Sequence, residues 1–329
     1  MTPRMFAYIV HRGGVADDSA AELAAAARQI DGTASPTAIV CGWGADLDAA
    51  CESARAIYRE VWKVANPALA YANAELNRQT LVRVVPPNSL VLVPHNHFGI
   101  DLAPGLAIKL NAAFVSDAVG IEGLVGGQLK VIRQEFGGQV SAHVGCDISS
   151  GAVINVRPGA FKPEPSPPVA GGVVDKSAEA GALSARRRYV ETVVADSGDV
   201  DITKYSVLVS IGRGIQEKEN VAMAQELAEA LGAAVSCSRP VVDAKWLEKS
   251  RQVGSSGKTV KPKVYLACGI SGSFQHLAGI KGSPFIVAIN KNPKAPIFQV
   301  ADVGIVADVL EFLPELTNRI REGHAVSAK

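Results

Sequence analysis

The feature that most constrains this chain lies between Ser238 and Asn290, where apolar runs of strand length break into turns of Gly, Ser and Arg. Val264 to Cys268 reads as a buried strand. It stops at Gly269 and passes through Ile270, Ser271, Gly272 and Ser273 into a helical run holding Phe274, Gln275 and His276. Upstream, the strand ending at Cys237 gives way to Ser238-Arg239. A Gly-rich loop follows at Gln252, Val253, Gly254, Ser255, Ser256, Gly257 and Lys258. A strand that turns through small residues into a helix presents backbone N–H groups that stabilise an anion. Two such turns close together in sequence, with an Arg between and a His beside them, suggest one long diphosphate ligand wrapped by several loops.

The alternation of strand, turn and helix extends both ways from this stretch. Ser206 to Ser210 is a strand followed by Gly212-Arg213-Gly214. Lys218 to Leu231 is an amphipathic helix, and Ala233 to Cys237 a strand. Phe285 to Ile289 is a strand closed by Asn290, and Asp308 to Arg321 is the last helix. Such alternation predicts parallel strands joined by right-handed crossovers. The expectation is a doubly wound sheet whose ligand lies beyond the carboxyl ends of its strands. The GRG, SR, GISG and INKN turns all follow strands, so they converge on one edge.

The first half has a similar layout. Phe6 to Val10, Thr37 to Val40, Glu60 to Ala65 and Ser89 to Val93 read as strands. Ser19 to Ile30, Asp46 to Ala56 and Leu69 to Val84 read as helices, the first capped by Asp17 or Asp18. From Ala113 to Phe161 the pattern changes, and LKVIRQEFGGQVSAHV and GAVINVRPGAF read as antiparallel strands with Gly turns. Phe161 to Val174, rich in Pro and then Gly, reads as a linker. Arg188 to Ala195 is still compatible with a strand of the first domain, so the boundary is drawn near Asp199. The expected fold class is α/β in two domains. Residues 1–198 form a Rossmann-like parallel sheet with an antiparallel appendage, and 199–329 a doubly wound nucleotide-binding sheet.

Composition sets limits on function. The 329 residues are 48% hydrophobic and only 5% aromatic, which suits parallel sheets under Ala-rich helices. A net charge of +1 argues against general affinity for nucleic acid or an anionic membrane. The five cysteines form no C-x-x-C pair and read as reduced thiols. The apolar run at the amino terminus reads as a first strand, not a signal segment, and no stretch is long enough to span a membrane. A cytoplasmic chain is expected.

Each singled-out residue also has a plainer reading. Arg213 suits a phosphate or an ordinary surface turn. Arg239 holds its charge at any pH, which suits an anionic group or an ion pair with Asp243. The Gln252–Lys258 loop closes on a ligand or is simply a connection. His276 contacts a ligand or is a satisfied core histidine. Asn290 suits phosphate or an adenine edge, and Asp308 suits a ribose hydroxyl or a cap of the last helix. His95 and His97 have metal-like H-x-H spacing but no third ligand nearby, so they read as loop residues. Neither a Walker loop nor G-x-G-x-x-G is present.

SRPVVD, QVGSSGK, GISGSFQHLAG, VAINKNPKAPIFQVADVGIVAD and the earlier GRG occur in the order and spacing of one known family. The chain resembles the electron-transfer flavoprotein alpha subunit in its FAD-binding domain, and in the first half it resembles the family in layout. The resemblance implies FAD bound in the C-terminal domain by Arg213, Ser238, Arg239, Gln252, Val253, Gly254, Ser255, Ser256, Ser271, Gly272, Ser273, Phe274, Gln275, His276, Asn290, Asp308 and Val309. It implies Arg239 near the isoalloxazine, Ser256 bonded near flavin N5, and His276 approaching the pyrimidine-ring carbonyl. Many members carry Thr where Ser256 stands, and the hydroxyl is retained. The implied partner is a beta subunit carrying AMP, or a second FAD in bifurcating members that use NADH, contacted by the N-terminal domain. The implied work is electron transfer, as in fatty acid β-oxidation, from a donor such as an acyl-CoA dehydrogenase to a quinone oxidoreductase or another acceptor, with no substrate turned over by this chain alone. Other classes also fit the motifs: a nucleotide-binding regulatory module with no redox role, and an NAD-binding enzyme domain.

Overall fold

A computed structural model describes residues 3–136, 139–163, 169–192, 200–282 and 284–327. The chain divides into two compact units, Met1–Glu191 and Thr192–Lys329.

The first unit opens with β1 (Met5–Ile9), a two-stranded ribbon of β2 (His11–Arg12) and β3 (Val15–Ala16), and α1 (Ser19–Ile30). Then come β4 (Thr37–Gly42), α2 (Gly44–Arg55), β5 (Glu60–Ala65), α3 (Ala74–Val84), β6 (Leu90–Pro94) and α4 (His97–Leu110). It continues with β7 (Ala113–Val125), β8 (Gln128–Glu135), β9 (Val140–Asp147), β10 (Ala152–Val156), β11 (Gly172–Asp175) and the short α5 (Ser177–Ala180). Of the two candidate caps of α1, Asp17 makes the side-chain bond, accepting from Ser19 N at 2.9 Å.

The strands form one sheet in the order β11-β5-β4-β1-β6-β10-β7-β8-β9. Strands β1, β4, β6 and β10 are buried along their whole length, as expected where helices cover both faces of a parallel sheet. α1 and α2 pack Leu23, Ala27, Leu47 and Ala54 against Ala7, Ile9 and Val40 on one face. α3 and α4 pack Leu81, Val84, Leu102 and Leu106 against Phe6, Tyr8, Val91 and Val153 on the other.

Two expectations need correction. The antiparallel appendage consists of β7, β8 and β9. β10, expected to be antiparallel, instead pairs parallel with both β6 and β7. Its run of Ala-Val-Ile-Asn-Val is apolar nearly throughout, which is the pattern of an interior parallel strand. The stretch expected to be a linker also carries structure: β11 adds in parallel to β5 at the sheet edge. Gly171 is required just before it, because a Cβ there would lie 2.0 Å from the Tyr58 carbonyl oxygen. Residues 164–168 of that stretch lie outside the described residues. The compatible strand at 188–195 does not form over 188–192, and 193–199 lie outside the described residues.

The second unit comprises β12 (Val207–Ile211), α6 (Val221–Ala230), β13 (Ala234–Cys237), α7 (Arg239–Asp243), β14 (Val264–Cys268), α8 (Phe274–Leu277), β15 (Phe285–Ile289), β16 (Val303–Ile305) and α9 (Val309–Ser327). All five strands are parallel, in the order β13-β12-β14-β15-β16. The chain winds outward from β12 to β13, then crosses back to β14 on the other side. The topological switch point therefore lies between β12 and β14, where open α/β sheets hold ligands. α6 and α9 cover one face with Ala224, Leu227 and Leu313. The other face is covered largely by loops, through Ile202, Val253, Val260, Ile270 and Ile297. Loops that carry site residues are therefore themselves part of the core.

Candidate functional site

A cleft of about 210 Å³ opens at the carboxyl edge of the second sheet. Every strand of that sheet contributes to it: Gly212, Arg213 and Gly214 after β12, Ser238 and Pro240 after β13, Gly269 to Ser271 after β14, Asn290 and Lys291 after β15, and Asp308 with Val309 after β16. Of the residues expected from sequence, it brings together Arg213, Ser238, Ser271, Asn290, Asp308 and Val309. Lys291, Pro240 and the glycines at 212, 214 and 269 also line it. Lys291 escaped notice, although a cation directly after a strand-end Asn was a visible signal.

The glycines explain how the turns meet. A Cβ on Gly212 would lie 2.3 Å from the Gly269 carbonyl oxygen, and one on Gly214 2.6 Å from the Gly269 Cα. Gly269 itself has φ +66°, a left-handed conformation that favours Gly. The turns after β12 and β14 thus lie backbone against backbone at the switch point. Gly212 N donates to the Cys268 carbonyl at 2.9 Å and Gly214 N to that of Gly269 at 3.0 Å.

Charge around the cleft is mixed but rich in donors. The exposed Arg213 begins a 3₁₀ turn, and Lys291 Nζ lies 3.0 Å from Asp308 Oδ2. Asp308 Oδ1 accepts from Leu310 N at 3.0 Å, and with the Lys291 bond this holds its carboxyl below the usual range. Asp308 therefore serves the first turn of α9 and also faces the cleft. Asn290 is turned inward: its Nδ2 donates to the Ile270 carbonyl at 2.9 Å and its Oδ1 accepts from Asn292 N at 2.9 Å. Its side chain braces the Gly269–Ser271 turn.

The remaining expected residues form a second group around the Gln252–Lys258 loop and α8. Ser255 N donates to the Gln275 carbonyl at 2.7 Å, and a Cβ on Gly279 would lie 2.3 Å from Gly254 N. The loop joins the sheet edge because Val253 N donates to the Cys237 carbonyl, one residue before Ser238, at 2.8 Å. Gln252 is buried, and its Nε2 donates to Ser256 Oγ at 2.9 Å. Ser256 Oγ is thereby an acceptor toward Gln252, which leaves its own proton available outward. Gly272 brings its turn onto Ile297, where a Cβ would lie 2.4 Å from the backbone N. Ser273, Phe274 and Gln275 are exposed on the opening turn of α8.

Two expected residues are held differently from a freely offered contact. His276 is 4% exposed, with Nε2 2.8 Å from the Tyr265 hydroxyl and Nδ1 3.1 Å from the Val253 carbonyl. Burial pushes its pKa down to about 4, against the bond to Val253. To reach a ligand carbonyl, it must exchange one of these bonds. Arg239 lies on the first turn of α7, 69% exposed, with Nε 3.4 Å from Asp243 Oδ2. The ion pair is formed and the guanidinium still faces solvent.

The donor set fits a nucleotide. Arg213, Lys291 and the hydroxyls of Ser238 and Ser271 suit phosphate oxygens, and Asp308 can accept from a ribose hydroxyl. The cleft is smaller than a typical pocket for a whole cofactor, so it suits the diphosphate part, with the remainder reaching toward the second group of loops. Among the described residues no group of His, Cys, Asp and Glu is placed to hold a metal ion. No helix among them is long and apolar enough to cross a membrane.

Fold and cleft together define an α/β protein whose second sheet presents, at its carboxyl edge, a donor-lined cleft of the kind that suits a nucleotide. Residues 201–281 match the family model of the electron transfer flavoprotein FAD-binding domain, and residues 6–197 that of the electron transfer flavoprotein domain. The electron transfer flavoprotein subunit alpha of Methylophilus methylotrophus is 42% identical over 232 residues, covering 69% of this chain and 70% of that one. The subunit alpha of Bacillus subtilis is 38% identical over 235 residues, covering 70% of each. Protein FixB of Clostridium saccharobutylicum is 38% identical over 234 residues, covering 71% of this chain and 70% of that one. The chain belongs to the electron transfer flavoprotein alpha subunit family, and its cofactor is FAD.

Proposed function

We propose that this chain is the alpha subunit of a heterodimeric electron carrier. A flavin dehydrogenase, such as an acyl-CoA dehydrogenase, supplies its electrons, and a quinone reductase or another acceptor removes them. The observation that carries the reading is the convergence of five strand ends on one cleft at the switch point, lined by Arg213, Lys291, Ser238 and Ser271. The names of the relatives as alpha subunits support a beta subunit as partner.

Bound FAD supplies the redox chemistry, taking up and releasing electrons. The chain's own residues bind, orient and set charge. Arg213 and Lys291 neutralise the diphosphate, with Lys291 paired to Asp308 beside the cleft. Ser238 and Ser271 add hydroxyl donors. Gln252 orients the Ser256 hydroxyl so that it donates to the ligand. Arg239 keeps a positive charge at any pH, which favours a flavin that has gained an electron.

The test is to purify the chain co-expressed with its beta subunit and measure the ratio of flavin to heterodimer. One flavin per heterodimer supports the simple carrier; two support the bifurcating type that uses NADH. A colourless complex that binds only AMP or NAD would contradict the reading.

A further inference from the structure

Tyr265 lies on β14 beneath the Gln252–Lys258 loop, with its side chain fully buried. Its hydroxyl is 2.8 Å from His276 Nε2 and 2.7 Å from Ser210 Oγ on β12. The other ring nitrogen of His276 is 3.1 Å from the Val253 carbonyl. A carbonyl oxygen only accepts, so Nδ1 carries the ring proton and donates. The ring is neutral at ordinary pH, so Nε2 has a lone pair and no proton. The phenolic proton therefore goes to Nε2, and Ser210 supplies its own proton to the phenolic oxygen.

This chain of bonds runs from the centre of the sheet to the loop that carries Ser255 and Ser256. Val253 is also fixed through its N–H to Cys237, and Ser255 N is bonded to Gln275, the neighbour of His276. Held on both sides, Val253 sets where the Gly254–Gly257 turn leaves the core. We propose that Tyr265 is a positioning residue of the flavin site: through His276 in its Nδ1–H tautomer, it locks the Val253 carbonyl and holds the 252–258 loop in its ligand-ready conformation. The proposal rests on the reading of this loop as part of the FAD site.

The test compares Tyr265→Phe with Ser210→Ala in the full-length chain. Ser210→Ala removes one bond to the phenolic oxygen and leaves His276 held, whereas Tyr265→Phe removes the oxygen with all its bonds and releases His276. Three quantities are read: the His276 tautomer from long-range ¹H–¹⁵N spectra, amide hydrogen exchange over residues 254–258 without FAD, and the FAD dissociation constant. The wild type and Ser210→Ala should show the Nδ1–H tautomer, a protected loop and the same affinity. Tyr265→Phe should lose the single tautomer, exchange its loop amides about tenfold faster and bind FAD about five- to tenfold more weakly, the scale of one buried hydrogen bond.

Loop protection and affinity unchanged in Tyr265→Phe, or lost equally in Ser210→Ala, would overturn the proposal. So would an Nε2–H tautomer in the wild type, a readout that needs no variant to fold. Because the tautomer and loop exchange are read without FAD, they decide the role of Tyr265 separately. A wild-type chain that fails to bind FAD would instead count against the site reading.

Discussion

His276 sits in the core of the second unit with both ring nitrogens engaged, and this gives it a pH signature. Its pKa falls from 6.5 to about 4 on folding because burial disfavours the charged ring. Between those values the unfolded chain binds the extra proton, so stability falls as pH drops from about 6.5 toward 4 and levels off below. The loss is on the order of 3 kcal/mol. Urea denaturation of the wild type against His276→Gln should show the step only in the wild type. A step of equal size in both would assign it to other groups. Arg239→Ala should lower the first one-electron potential of the bound flavin. An exposed charge of this kind contributes roughly 1 kcal/mol, or about 40 mV. A redox titration with FAD confirmed bound checks this; an unchanged potential would make Arg239 purely structural. At this scale, the sequence named many of the polar residues but not their orientation. Asn290 and His276 turn inward onto neighbours far away in the chain and Gln252 onto Ser256 in its own loop, and a polar residue looks the same in sequence whether it faces ligand or core.

The site depends on elements meeting backbone to backbone. Gly212 and Gly214 pack on Gly269 with no room for a side chain between them. Gly212→Ala must push the turns after β12 and β14 apart, since the clash is with main chain and not with a flexible side chain. It should cost roughly 1–3 kcal/mol of stability and weaken FAD binding. A variant with wild-type melting temperature and affinity would show that the turns separate freely. Convergence of the GRG, SR, GISG and INKN turns was legible because parallel topology sends every strand's carboxyl end the same way. The direction of β10 and the existence of β11 were less legible. A short apolar run takes its pairing from strands distant in sequence, and Pro and Gly before β11 mask an edge strand as a connection.

At the scale of the whole molecule, two α/β units were legible from alternating strands and helices, and each unit shows its own sheet, mixed in the first and all-parallel in the second. The FAD-binding match falls on the second unit, where the cleft opens. The central proposal is that this cleft seats FAD. Its most direct test is the FAD affinity and stoichiometry of the full-length chain, wild type against Arg213→Glu with Lys291→Glu. Reversing both charges faces the diphosphate with two carboxylates and touches no buried apolar group. The account predicts stoichiometric FAD in the wild type and at least a hundredfold weaker binding in the double variant, the scale of two lost charge-assisted bonds, with far-UV circular dichroism unchanged. A folded double variant that binds FAD as tightly as the wild type would contradict it.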